Sequence, residues 1–202
     1  MVTVPEDPAE GAEAAELSAH RLEAFSDGVM AVIITLMAFE IKAPSSFHLV
    51  DLRHEVPSLL VYVLSFTFIG IYWNNHHHLL RVTPRITAGV MWANLAVLFW
   101  LSLVPFLTEW VAIQYRHPLP AASYGVGALG AAIAYWVLVR TITRANADAH
   151  VARAIGTDVK GMISPVLYLT GIGLAFVEPW LAYGVYVLVA LIWFIPDRRL
   201  VR

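Results

Sequence analysis

From Ala88 to Leu107 the chain crosses a full bilayer's worth of residues without one charged side chain. The hydrocarbon core of a membrane takes roughly 20 apolar residues in α-helix, so this run alone predicts a span. Similar runs extend from Leu22 to Ile41, Pro57 to Leu80 and Ala121 to Val139. Two shorter ones, Met162 to Val177 and Trp180 to Ile195, are separated only by Glu178 and Pro179. Merging these two would put a carboxylate at the bilayer centre, at a cost of about 2.5 kcal/mol or more. They are therefore predicted as a tight hairpin of two short helices. The expected fold is all-α: a polytopic membrane protein with six transmembrane helices.

Composition agrees and narrows the function classes. Apolar residues make up 59% of the chain and charged ones 14%, against about 25% charge in ordinary soluble domains. A net charge of −2 without a basic patch excludes nucleic acid as a partner. The absence of cysteine excludes disulfides, thiolate nucleophiles and thiolate-ligated metals. Residues 1–20 carry Glu6, Asp7, Glu10, Glu13 and Glu16 with no basic residue before His20, the reverse of a signal peptide. With Pro5, Pro8 and Gly11 among those acids, this tail is predicted to be disordered. Residues 21–197 form the membrane domain, and 198–202 a basic C-terminus.

Lys and Arg set the orientation. Six spans place the N-terminus, the second and fourth connections and the C-terminus on one side. That side holds Arg21, Arg81, Arg85, Arg140, Arg144, Arg153, Lys160, Arg198, Arg199 and Arg202. The other side holds only Lys42, Arg53 and Arg116. The positive-inside rule then puts both termini in the cytoplasm and the chain in the cell's inner (plasma) membrane.

The first helix concentrates the polar chemistry. Asp27 falls about one and a half turns inside its start, at a depth where an ionisable group marks a functional site and needs a partner. At about 100° per residue, Phe25, Gly28, Val32, Leu36 and Phe39 share one stripe, with Thr35 at its edge. Asp27 lies nearly opposite, beside Met30, Ile34 and Ala38. A carboxylate faces protein rather than lipid, so the Asp27 side is expected to pack. The other stripe is left for a neighbour, lipid or a pore. The second helix ends in Trp73-Asn74-Asn75-His76-His77-His78, and its antiparallel course brings this cluster level with Asp27. Trp73 and His77, one turn apart, share a face. A hydrogen-bonded network of Ser26, Asp27, Asn74 and His77 is expected, because such groups are costly to bury unpaired.

The segment RLEAFSDGVMAVIITLMAFE at 21–40, followed by the Trp-Asn-Asn-His-His run, resembles the signature of the transmembrane protein 175 family of lysosomal and bacterial potassium channels. The Arg-x-x-x-Phe-Ser-Asp string is the specific part, and one copy of it resembles the bacterial, single-unit form. The resemblance implies a homotetramer in the lipid bilayer with the first helix of each subunit around a central pore on the oligomer axis. It implies that Val32, Leu36 and Phe39 form hydrophobic constrictions and that Thr35 presents a pore-facing hydroxyl linked to cation preference. It also implies that Arg21, Phe25, Ser26 and Asp27, with Trp73, Asn74 and His77, hold the helix in place. No cofactor is implied beyond the permeant potassium ion. Two positions depart from the family: Val32 is smaller than the usual isoleucine or leucine, and Phe39 stands where an aliphatic residue is commoner.

Other motifs have plainer readings. Neighbouring histidines at 76, 77 and 78 do not converge on one metal ion from a helix. Gly125-x-Gly127-x-x-Gly130 copies a dinucleotide fingerprint but lies inside an apolar span, where small residues serve helix packing. Tyr124-Gly125-Val126-Gly127 lacks the order of a carbonyl potassium filter. Trp100, Trp110, Trp180 and Trp193 are expected as interfacial anchors, and Glu40 near the outer mouth. A secondary transporter would need broken helices and an inverted repeat. A membrane haem or metal enzyme would need a convergent constellation, and no catalytic residue is assigned.

Overall fold

The computed structural model describes residues 8–44, 48–146 and 159–194. The described residues fold into helices: α1 Pro8–Phe39, α2 Leu49–Arg81, α3 Ala88–Ser102, α4 Val104–Gln114, α5 Pro118–Ala145, α6 Val159–Ala175 and α7 Pro179–Phe194. Helices α3 and α4 together make one span, Ala88–Gln114. With α1, α2 and α5 this gives four segments long and apolar enough to cross a membrane. The shorter α6 and α7 complete a bundle of six.

Several expected bounds shift. Helix α1 begins at Pro8, so residues 8–20, expected to be disordered, are helical. Proline is tolerated in a first helical turn, and Ala9, Ala12, Ala14 and Ala15 outweigh the single Gly11 in helix propensity. Residues 1–7 and 195–202 lie outside the described part. The third span does not stop at Leu107 but continues to Gln114, broken at Leu103. Pro105 causes the break: it has no N–H to donate and its ring crowds the carbonyl four residues back. The Leu103 N–H instead reaches the Trp100 carbonyl at 3.3 Å, and the ladder resumes from Leu107 to Leu103 at 3.1 Å. Helix α2 starts at Leu49, well before the expected Pro57, and α5 runs on to Ala145 past the expected Val139. The Glu178 N–H donates to Leu174 O at 2.9 Å in the expected hairpin turn.

Helix α5 is the central post, packed against α3, α4, α6 and α7. Its buried face is made of small residues, including Ala121, Gly125, Ala128, Gly130 and Ala131, which let neighbouring backbones approach. A Cβ at Gly130 would run into the Trp100 ring, and one at Gly125 into Tyr186. The glycine motif is thus a packing surface. Trp100, expected at an interface, is instead half-buried at mid-span because Gly130 opens a slot for its indole. Hydroxyls on the bundle surface return their protons to their own helix: Thr67 to Val63 O at 2.8 Å, Thr141 to Val137 O at 2.8 Å, Thr170 to Val166 O at 2.9 Å. None of these three hydroxyls is left as an unpaired donor facing an apolar medium.

Candidate functional site

Helix α1 packs on α2, α3 and α4 and has two sharply different faces. Leu22, Ser26, Met30, Ile33 and Met37, spaced by three or four residues, are buried. Phe25, Gly28, Val32, Thr35, Leu36 and Phe39 are exposed, Phe39 by 83%. The subunit therefore leaves the whole predicted stripe uncovered. The Thr35 hydroxyl donates to Val32 O at 2.8 Å, so its lone pairs, not its proton, point away from the helix.

The buried face is clamped at two heights. Near its start, Ser26 Oγ donates to Leu22 O at 2.8 Å and accepts from Asn94 Nδ2 at 2.9 Å. Asn94 Oδ1 lies 2.6 Å from His76 Nε2. With the amide nitrogen spent on Ser26, the amide oxygen must accept, so His76 carries its proton on Nε2. Ser26, Asn94 and His76 are all buried. Beside this triad His77 Nδ1 meets Glu23 Oε1 at 2.5 Å, and the His77 ring stacks on Trp73 with centroids 5.9 Å apart and planes 16° from parallel. The expected shared face of Trp73 and His77 is there.

About three turns further along α1, the Ser65 hydroxyl lies 3.0 Å from Tyr124 OH and 2.7 Å from Thr108 Oγ1. Thr108 also bonds Val104 O at 2.7 Å and approaches Met37 Sδ at 3.8 Å. Four helices meet in this cluster. Next to it a cavity of about 170 Å³ is lined by Glu40, Lys42, Glu55 and Glu109, which places Glu40 at the end of α1 beside two further carboxylates.

The network differs from the expected one in its members. Asn74 is exposed, because two residues of helix turn it about 200° from His76. The partner of Ser26 is Asn94 with His76, and His77 serves Glu23 instead. Asp27, one residue past Ser26, is rotated off the buried face. It is half-buried, and its Oδ1 is enclosed without a hydrogen-bond partner among the described residues, as is His76 Nδ1. Arg21 is exposed and has no ion pair within the described residues. Phe25 sits on the open stripe rather than in the network, and Ala38, expected on the packing side, is exposed. Asn94 escaped the sequence reading. Its signal was an amide in the middle of the charge-free span, a place where polar side chains bond across helices.

Residues 21–105 match the endosomal/lysosomal potassium channel TMEM175 family. A potassium channel of Chryseobacterium sp. strain P1-3 is 45% identical over 89% of this chain and 94% of its own. One from Streptomyces collinus is 36% identical over 85% and 89%. The crystal structure of a lysosomal potassium-selective channel TMEM175 homolog from Chamaesiphon minutus superimposes with a TM-score of 0.73. It shares 32% identity and covers 88% of this chain and 97% of that one. With these relatives matched along nearly their whole length, the chain belongs to the TMEM175 family.

Proposed function

We propose that this chain is the pore-forming subunit of a potassium-permeable cation channel, a homotetramer whose α1 helices surround the conduction path. One observation carries the reading: an exposed, charge-free stripe of Phe25, Val32, Leu36 and Phe39, broken by a single hydroxyl, on a helix otherwise fixed by buried hydrogen bonds. One helix cannot enclose a pore, so the stripe becomes a wall only when symmetry repeats it. In such a pore Val32, Leu36 and Phe39 form stacked apolar rings that close by dewetting. The outward lone pairs of Thr35 supply an oxygen ligand for a partly dehydrated cation. Arg21, exposed on the subunit, and the half-buried Asp27 carboxylate at the same end of α1 are the charged groups that lie nearest to where subunits would pack. The permeant ion is the sole ligand this reading requires.

Reconstitution of the full chain in planar bilayers tests it. Discrete openings with a reversal potential favouring potassium over sodium are expected; stepless flux coupled to a second ion would point to a transporter and overturn the reading. Thr35→Ala should keep the conductance near that of the parent and lower the potassium-to-sodium permeability ratio. A hydroxyl worth about 1 kcal/mol to potassium corresponds to roughly a fivefold fall. An unchanged ratio would remove Thr35 from the path.

The same reading places the protein in the inner membrane with both termini cytoplasmic. The natural lack of cysteine makes the check clean. Glu178→Cys should react with an impermeant maleimide in intact cells, and Pro84→Cys only after the membrane is opened. The reverse pattern would invert the topology.

A further inference from the structure

The outer face of α5 carries a graded stripe that neither the pore nor the subunit core uses. Ile133 and Val137 are exposed and apolar, Trp136 is exposed next to them, and Arg140 and Arg144 follow. At about 100° per residue these five side chains fall within roughly 100° of one another. The Arg140 guanidinium lies 5.0 Å from the centre of the Trp136 ring, a cation–π distance.

A third arginine is brought to the same end by a buried clamp. Asn146, 2% exposed, accepts from Arg85 N at 3.0 Å and donates to Arg85 O at 3.2 Å. Its amide also reaches Ile142 O at 3.0 Å. The connection between α2 and α3 is thereby held against the last turn of α5, with the Arg85 side chain left exposed. Arg85, Arg140 and Arg144 make no ion pair with any carboxylate among the described residues. Helix α1 packs on α2, α3 and α4, so in an assembly with α1 at the axis the α5 stripe lies toward the perimeter.

We infer that this stripe is a docking site for an anionic phospholipid. The acyl chains lie along Ile133 and Val137, the glycerol region beside the Trp136 indole, and the phosphodiester between Arg140 and Arg144, with Arg85 at its rim. The order apolar, aromatic, cationic along one helix face matches the order of groups through one leaflet, and guanidinium forks suit phosphate oxygens. The perimeter position rests on the pore reading above; the lipid contact itself does not require conduction and is measured without it.

The test is native mass spectrometry of the full-length protein released from vesicles containing phosphatidylglycerol and phosphatidylcholine. The parent should retain phosphatidylglycerol selectively. Arg140→Gln with Arg144→Gln should lower that retention about tenfold or more, and Arg85→Gln by less. Arg53→Gln with Arg116→Gln, an equal loss of charge at the opposite end of the bundle, should leave it unchanged. If the double variant does not assemble, Arg144→Gln alone should still show a clear fall. Equal losses in both double variants would mean bulk charge rather than a site. Displacement of the lipid by inorganic phosphate alone would mean a plain anion site. Either result, or retention unaffected by Arg140→Gln and Arg144→Gln, overturns the proposal.

Discussion

Channels carrying Leu36→Asn should pass severalfold more current than the parent, with longer openings. Leu36 lies one turn beyond Val32 and one turn before Phe39 on the exposed stripe of α1. In the proposed pore the three rings are spaced by about 6 Å and 4.5 Å along the axis. No charge interrupts them, so a hydrated ion crosses a throat whose walls return nothing for the water it sheds. An amide at the middle ring offers a carbonyl oxygen and keeps the throat wet. If it recovers even about 1.4 kcal/mol of the crossing cost, current rises about tenfold. Val32→Asn should act in the same direction and by less, because valine already leaves a wider ring than leucine. Bilayer recordings in symmetric potassium chloride decide the matter. Unchanged conductance for Val32→Asn, Leu36→Asn and Phe39→Asn together would remove α1 from the conduction path.

The stripe was legible in the sequence because helix periodicity converts residue number directly into angle. That conversion needs no knowledge of the neighbours, and Val32, Thr35, Leu36 and Phe39 came out on the open side as expected. The network was less legible for the complementary reason. Ser26, Asp27, Asn74, His76 and His77 all sit at the right height, but the bonding partners depend on how α2 is rotated about its own axis. A turn of about 100° separates the His76 arrangement from the His77 one. Asn94 came from a third helix whose distance in sequence hides it. The span count was readable because lipid penalises charge so heavily. The break at Leu103 was masked by apolar residues on both sides of Pro105, although the proline itself was the available signal. The helical start at Pro8 is hard to see because acids, prolines and a glycine surround the alanines that favour helix there.

The network makes the sharpest structural prediction. Asn94→Leu should reduce the yield of assembled protein strongly and lower its melting temperature, more than Asn74→Leu does. Asn94 holds two buried groups at once: it donates to Ser26 Oγ at 2.9 Å and faces His76 Nε2 at 2.6 Å. Leucine fills the space but leaves the His76 N–H without an acceptor inside the bundle, at about 1–3 kcal/mol. Ser26 loses less, because its own proton stays on Leu22 O at 2.8 Å. Asn74 is exposed on the subunit surface and holds no such pair. The double variant His76→Leu with Asn94→Leu should recover much of the stability that Asn94→Leu loses, since replacing both partners by apolar groups leaves no stranded donor. A simple packing role for Asn94 predicts the opposite, a further loss on adding His76→Leu. Thermal melting and size-exclusion profiles of the parent, the two single variants and the double close this cycle. If the double variant melts below both singles, the triad does not act as a hydrogen-bonded unit, and α1 is held near its start by the Glu23–His77 contact and apolar packing.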